Sequence, residues 1–553
     1  MKKIIAIISL IFAVSLVMIF TADVKPGRIV RGKGVEEAAE ILKAKKASFI
    51  QENGIDILID GKSLSNFGYR LKIDEGLGVY ASERFMEDIM GCSVIFDKKG
   101  GVTVDRNKTE LEFSKNELET AGNEAFIPIS EHIGELGYEI EYDFTGNRIN
   151  FKNLDGGNYL PDAYDLREHD RVTPVRDQGK LGTCWAFASL GALESVSMPA
   201  EENIYSIDHM SFNNGYSLDI SDGGEHTMSI AYMAAWRGPV YEKDDEYGDG
   251  ETNENLTAVK HLEEAIIMNS RDDNKVKSAV YKYGGVETSI YMEMPYGSTT
   301  SEYYNDANSS YYYNGIHSPN HDIVIVGWND HYPKENFEKE PPTDGAYICK
   351  NSWGEDFGDG GYIYVSYADV NIANQAIVYT RLAEKDNYDN IYQSDVLGWV
   401  GQMGFSEESA YFANVYTAKS DEMLKAISFY ATGDNTSFKV FVVTDFKDSS
   451  SLNSGRIEIG KGETRFAGYY TVDLNKDIEL KKGQRYAVIV SIKTPGSEKP
   501  IAIECDAGSR TEGLDLSDGE GYMSLYGEVW HSAEESNANL CLKAFTDNKM
   551  RKD

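Results

Sequence analysis

Apolar and polar positions recur with different periods along this chain, and each change of period marks a change of element. Met1-Lys2-Lys3 precedes an uncharged, predominantly apolar run from Ile4 to Phe20. A basic start before an apolar core is the pattern of an export signal, with Ala22 as a cleavage position. The run is long for a cleaved signal and just short of a comfortable membrane span, so residues 1–22 read as a signal peptide or an anchor. Val35 to Leu42 places apolar residues at helical spacing, which predicts a helical linker over 23–52.

Shorter runs follow from 53 to 157, and one of them recurs. Tyr80 to Asp97 (YASERFMEDIMGCSVIFD) matches Phe126 to Asp143 (FIPISEHIGELGYEIEYD) in its order of helix, glycine, alternating strand and turn. Gly91 and Gly137 close the two predicted helices, because glycine relieves the left-handed conformation at a helix end.

Between 158 and 384 the pattern becomes richer. Phe187, Leu190, Leu193 and Val196 lie near helical spacing and predict a buried helix that begins at Cys184. Asp322 to Trp328 is a short run rich in β-branched residues, which predicts a buried strand with His321 at its mouth. Tyr347 to Tyr367 reads as strand, turn and strand, and carries Asn351. From 386 to 548 the chain turns β-rich. Strands are predicted at Tyr411–Tyr416, Ala426–Tyr430, Phe438–Val443, Tyr486–Ile492 and Ile501–Glu504, separated by Gly, Asn, Asp and Lys turns, as in a β-sandwich. The fold class is multidomain α+β: a small α/β module, a two-lobed α/β domain and a β-sandwich.

Composition sharpens this picture in a few places. A chain of 553 residues is too long for one core, and 41% apolar residues with 36 tyrosines argue for folded domains. The formal net charge of −36 and the lack of a Lys/Arg-rich face argue against nucleic-acid binding. The acidity reads as a solvated surface. No stretch beyond the first 22 residues is long and apolar enough to span a membrane. Five cysteines, none in a C-x-x-C pair or a Cys/His cluster, give neither a disulfide framework nor a zinc site. Cys92, Cys349, Cys505 and Cys541 sit in strand-like apolar surroundings and read as small core residues. The acidic run Asp244 to Gly250 lacks EF-hand spacing and reads as a solvated loop beside the cleft. No metal and no cofactor is expected.

Cys184 stands apart. A thiol nucleophile needs a base nearby and is favoured at a helix N-terminus, where the dipole stabilises a thiolate by about 0.3–1 kcal/mol. Gln178-Gly-Lys-Leu-Gly-Thr-Cys184 is a glycine-punctuated loop running directly into the predicted helix. His321, at the mouth of a buried strand, is placed to face a cleft, and an Asn such as Asn351 can fix an imidazole's tautomer without adding charge.

These segments resemble the papain-like cysteine peptidases over about 158–384. The resemblance implies Cys184 as nucleophile, His321 as general base, Asn351 as its orienting residue and Gln178 as an oxyanion-hole side chain. It further implies Trp353 as an indole shielding the His–Asn bond, and a cleft between a helical and a β-rich half. Leu160 to Arg167 matches the start of the mature domain, and Val172 to Gln178 its approach to the site. His321 falls inside the family's window of roughly 130–150 residues after the Cys; Asn351 lies beyond it, after the polar insertion His331 to Asp344. Gly223 and Gly224 match glycines that let a substrate backbone approach. The usual C-G-[SA]-C-[WY] signature here reads Leu181-Gly-Thr-Cys-Trp185, and Ser221 to Glu225 also lacks a Cys, so both halves of a family disulfide are missing together.

Residues 53–157 resemble the copper amine oxidase N-terminal (stalk) domain, which implies a spacer or wall-facing adaptor; the spacing copper would need is absent. Asn387 to Tyr392, Leu397-Gly-Trp399 and Phe412 to Val415 resemble the lectin-like domain that follows such peptidases in clostridia and their relatives. Together the resemblances imply a secreted or cell-surface thiol endopeptidase acting on proteins or peptides, with wall or host glycans as possible partners of the C-terminal domain. Membrane contact is expected only through an uncleaved N-terminal segment. The competing reading is an inactive surface protein that adheres through its flanking domains.

Overall fold

The computed structural model describes residues 55–59, 62–63, 70–97, 99–106, 109–121, 124–144, 146–154, 160–269 and 271–549. The signal or anchor at 1–22 and the helical linker at 23–52 lie outside the described residues. The chain divides into two compact units, 1–157 and 158–553.

In the first unit, strand Asp56–Ile59 pairs in parallel with Arg148–Asn153, which pairs antiparallel with Tyr138–Asp143. The first repeat copy is the expected one. Ser82 Oγ caps helix Glu83–Asp88, and Gly91 at φ 64° leads into strand Ser93–Phe96. The second copy departs from expectation. Its helical stretch is a series of turns, held by Leu136 N donating to His132 O and Tyr138 N to Ile133 O. Gly134 lies in the middle of those turns with no packing neighbour within reach of a side chain, and glycine is a poor helix interior residue. Gly137, at φ 72°, still makes the turn into the strand. The buried Arg106 unites the copies by donating to Met90 O and Leu136 O, the carbonyls just before the two glycines.

The second unit is built around helix Cys184–Ser197, apolar on nearly all sides and therefore buried. It packs on strand His321–Asn329, with Gly191 against Val324. That strand lies between Ala346–Lys350 and Val286–Ile290, and the sheet continues through Ala376–Glu384 to Lys260–Met268. The insertion at 331–344 is the connection between two of these paired strands.

The sheet does not stop where the sequence pattern changes near 385. Lys260–Met268 pairs with Ala467–Leu480, with Ala265 opposite Tyr469 and Ile266 opposite Gly468. Gly468 has φ 148°, and a side chain there would stand 2.1 Å from the carbonyl oxygen of Ala265. Glu422–Ala431 follows, and then Ile501–Cys505. A facing sheet orders Ile457–Thr464, Thr436–Val443, Arg485–Lys493, Ser409–Thr417 and Gly521–Ser524. Phe429 and Phe438 meet edge to face between the two sheets at 5.0 Å, so the expected sandwich is present.

The join between peptidase-like and β-rich halves is itself a core. Tyr430, Tyr469 and Cys541 are buried in one cluster with Trp185, Ile267 and Tyr379. Trp236 stacks on His261 at 3.9 Å and on Phe545 at 5.6 Å. Tyr216 Oη donates to Leu397 O at 2.7 Å. All five cysteines are free; Cys92, Cys349 and Cys541 are buried as expected, whereas Cys505 is half-buried.

Candidate active site

The loop before Cys184 is tied down at both ends. Gln178 N donates to Ser352 O at 2.8 Å, and Gly182 N donates to Ile220 O at 3.1 Å. Thr183 precedes the helix but does not cap it with its side chain. Its hydroxyl is instead 2.7 Å from Tyr247 Oη, which donates to Gln178 O at 2.8 Å. Tyr247 also meets Phe187 edge to face. The acidic run expected as a solvated loop is therefore only partly so. Tyr247 is pinned to the loop before Cys184, and Asp245 is buried, accepting from Thr252 Oγ1 and Asn253 N.

Gln178 is oriented by two bonds. Its Oε1 accepts from Ser352 Oγ at 2.6 Å and its Nε2 donates to Leu181 O at 2.9 Å. An amide nitrogen carries two hydrogens, so one N–H is left to serve a ligand. The first-turn N–H groups of a helix have no internal acceptor. Those of Cys184 and Trp185, together with that of Asp322, face the Cys184 sulfur.

His321 opens its strand and is 6% exposed. Its Nε2 lies 2.8 Å from Asn351 Oδ1, which also accepts from Ser352 N at 2.8 Å. An amide oxygen accepting at Nε2 places the proton there and leaves Nδ1 as the basic nitrogen. Trp353 lies 5.1 Å from the imidazole and is braced edge to face by Phe357. The indole packs beside the ring of His321. Burial and the Asp322 carboxylate push the Cys184 thiol up to about 12, and burial pushes His321 down to about 4.

Gly223 and Gly224 lie against the same loop. A side chain on Gly182 would stand 2.7 Å from Gly223 N, and one on Gly224 would stand 2.5 Å from the Trp185 indole. Gly223 adopts φ 84°. These contacts give the glycines a packing reason of their own. They also bring the segment 221–227 beside Cys184 without the disulfide.

Several residues here carried no signal in the sequence. Glu194 is fully buried, accepting from Thr173 Oγ1 at 2.5 Å, Arg176 Nη2 at 3.1 Å and Tyr205 N at 2.9 Å. Lys350, pushed down to about 8 by burial, donates to Thr173 at 2.9 Å. This network locks the Cys184 helix to strand Ala346–Lys350, which ends one residue before Asn351. Behind the helix, Glu287 is hydrogen-bonded to Ser189 at 2.9 Å and Tyr379 at 3.1 Å, and burial raises it to about 8.

Two stretches of the chain match known family models. Residues 160–380 match the papain family cysteine protease model, and residues 391–546 match the lectin like domain model. A viral cathepsin of Heliothis zea nuclear polyhedrosis virus is 28% identical over 210 residues, 37% of this chain and 52% of that protein. Gamete and mating-type specific protein A of Dictyostelium discoideum is 30% identical over 210 residues, 36% of this chain and 42% of that protein. The match thus spans about half the length of such relatives. Two structures share the fold at larger scale. The clostridial cysteine protease Cwp84 after propeptide cleavage superposes with TM-score 0.63 at 24% identity, covering 70% of this chain and 99% of that one. The protease and lectin-like domains of Cwp84, a surface layer associated protein of Clostridium difficile, give 0.61 at 23% identity, covering 70% and 89%.

Proposed function

Residues 160–380 are a papain-family cysteine protease domain and residues 391–546 a lectin-like domain, and on that premise we propose that this chain is an exported thiol endopeptidase. The observation that carries the reading is the bond between His321 Nε2 and Asn351 Oδ1, which leaves Nδ1 free to take a proton beside a helix that begins at Cys184.

Cys184 passes its thiol proton to His321 Nδ1, and the thiolate attacks the carbonyl carbon of the scissile bond. The oxyanion that forms takes hydrogen bonds from the spare Gln178 N–H and from Cys184 N–H. The imidazolium then gives its proton to the leaving amine as the C–N bond breaks, leaving a thioester. His321 next takes a proton from water, whose oxygen displaces the sulfur and releases the carboxylic acid. No step needs a cofactor. Trp353 keeps the His321–Asn351 bond dry throughout.

Substrates are proteins or peptides. The basic start and apolar run at the N-terminus support action outside the cytoplasm, secreted or tethered at the cell surface. The lectin-like domain supports contact with wall or host glycans, a reading that rests on fold likeness.

Cys184→Ala is expected to abolish peptide hydrolysis while leaving the unfolding profile unchanged. Gln178→Ala is expected to lower kcat by about 10²–10³, the usual effect of removing one oxyanion donor. Peptidase activity persisting in Cys184→Ala would overturn the assignment. So would a wild-type Cys184 that iodoacetamide modifies no faster than a free thiol, since that is the behaviour of the inactive adhesion protein.

A further inference from the structure

Four oxygens crowd one nitrogen in the lectin-like domain. Asn539 Nδ2 has Glu504 Oε2 at 2.8 Å, the backbone oxygens of Ser394 and Asp515 at 3.0 Å, and Asp518 Oδ1 at 3.1 Å. An amide nitrogen carries two hydrogens, too few to serve four acceptors. The same side chain is 1% exposed, and its own Oδ1 has no donor within reach. Half a turn of the amide resolves both mismatches. It carries Nδ2 towards Ser394 Oγ and Glu534 Oε1, which lie with Asn539 Oδ1 around Gly519, and it brings Oδ1 to the four oxygens. Five oxygens then converge, an arrangement that a cation between them makes favourable.

Chemistry selects the ion. Every donor is oxygen, which suits a hard cation and disfavours zinc. Backbone carbonyls mixed with carboxylates, with neighbouring oxygens about 3 Å apart, fit the loose sphere of calcium better than the strict octahedron of magnesium. Glu504 is fully buried, and burial raises it to about 7; Asp518 is raised for the same reason. Lys543, the ammonium buried nearby, is paired with Asp395 at 2.9 Å instead. Asp515 and Asp518 are exposed, which leaves an entry path. Two of the five donors are backbone carbonyls, so no acidic motif announces the site.

These donors also sit at the join between the two halves. Glu504 Oε1 accepts from Leu397 N at 2.6 Å, and Leu397 O accepts from Tyr216 Oη. Between Glu504 and Asp515, Arg510 O accepts from Ser217 N at 2.9 Å and Glu512 O from Ser217 Oγ at 2.7 Å. Ser217 shortly precedes Ile220, whose carbonyl holds Gly182 in the loop before Cys184.

We propose that Asn539 Oδ1, Glu504, Asp518 and the carbonyls of Ser394 and Asp515 bind one calcium ion, which clamps residues 504–518 of the lectin-like domain onto Tyr216 and Ser217. The ion acts on the join and takes no part in peptide hydrolysis.

The test is calorimetric titration of calcium chloride into the full chain, stripped of metal with EDTA and carrying Cys184→Ala to prevent self-cleavage. One saturable site is expected, with magnesium weaker by about tenfold or more, and a Tm about 2–5 °C higher with calcium. Asp518→Asn changes an exposed residue and should weaken binding by about tenfold or more. Asn539→Asp should melt lower in EDTA and recover with calcium, because a carboxylate there repels its oxygen neighbours until a cation joins them. No saturable binding, binding that Asp518→Asn leaves unchanged, or an Asn539→Asp variant that calcium does not recover overturns the site. Amide exchange at Ser217 should slow when calcium is added. Binding that leaves this exchange unchanged overturns the clamp.

Discussion

Two places along this chain look alike in sequence and differ completely in structure. Near 157 and again near 385 the apolar pattern changes and a new domain is read. The first change coincides with a division between compact units. The second is crossed by paired strands, Glu264–Ile267 on Ala467–Tyr470, and by a common core that includes Ile267, Tyr379 and Tyr469. A change of pattern reports a change in element type. Whether the elements on either side share a sheet edge is decided by long-range pairing, which local periodicity does not encode.

The largest test of this contrast is to cut at each boundary. Residues 158–553 are expected to unfold in one cooperative transition. Residues 158–385 should fail to fold, because the cut bares one edge of strand 260–268 and its apolar neighbours; a cooperative melt of 158–385 by circular dichroism would erase the distinction. A smaller test is Gly468→Ala, which drives a methyl into Ala265 O in a backbone conformation that side chains avoid. A loss of about 3 kcal/mol is expected by chemical denaturation, against less than about 1 kcal/mol for Gly460→Ala, where the nearest atom is 3.4 Å away.

The smallest test uses pH. Glu287 is raised to about 8 by burial, so the folded protein keeps a proton that the unfolded chain releases above its ordinary value of 4.5. The stability that Glu287 contributes is then lost as pH rises from about 4.5 to about 8. Glu287→Gln should flatten that slope. If the two halves unfold together, hydrogen exchange in strand 485–493 should show the same flattening, although that strand lies in the C-terminal half. A slope confined to the peptidase half would break the unit in two.

Much of the site was legible because it is written in short range. The helix expected from Cys184 to Val196 runs Cys184–Ser197, and the strand expected at 322–328 runs His321–Asn329. The five strands read in the C-terminal region are all present. What stayed hidden depends on partners far along the chain. Ala467–Leu480 escaped because its first half is buried against another domain and its second is largely polar and exposed, so no single period describes it. Glu194 and Lys350 look like surface charges until Thr173 and Arg176 are brought to them. Tyr247, inside an acidic run, gave no sign that it would clamp the loop before Cys184.

The backbone contact that ties Gly182 to the 220–223 segment has a consequence for handling. A nucleophilic thiol works only in the reduced state, so its surroundings must supply electrons. In a scaffold stapled by cystines, the same electrons would also open the staples. Here every cysteine is already a thiol, and the loop beside Cys184 is held by an amide bonded to Ile220 O. Reductant can restore an oxidised Cys184 without loosening anything that positions it.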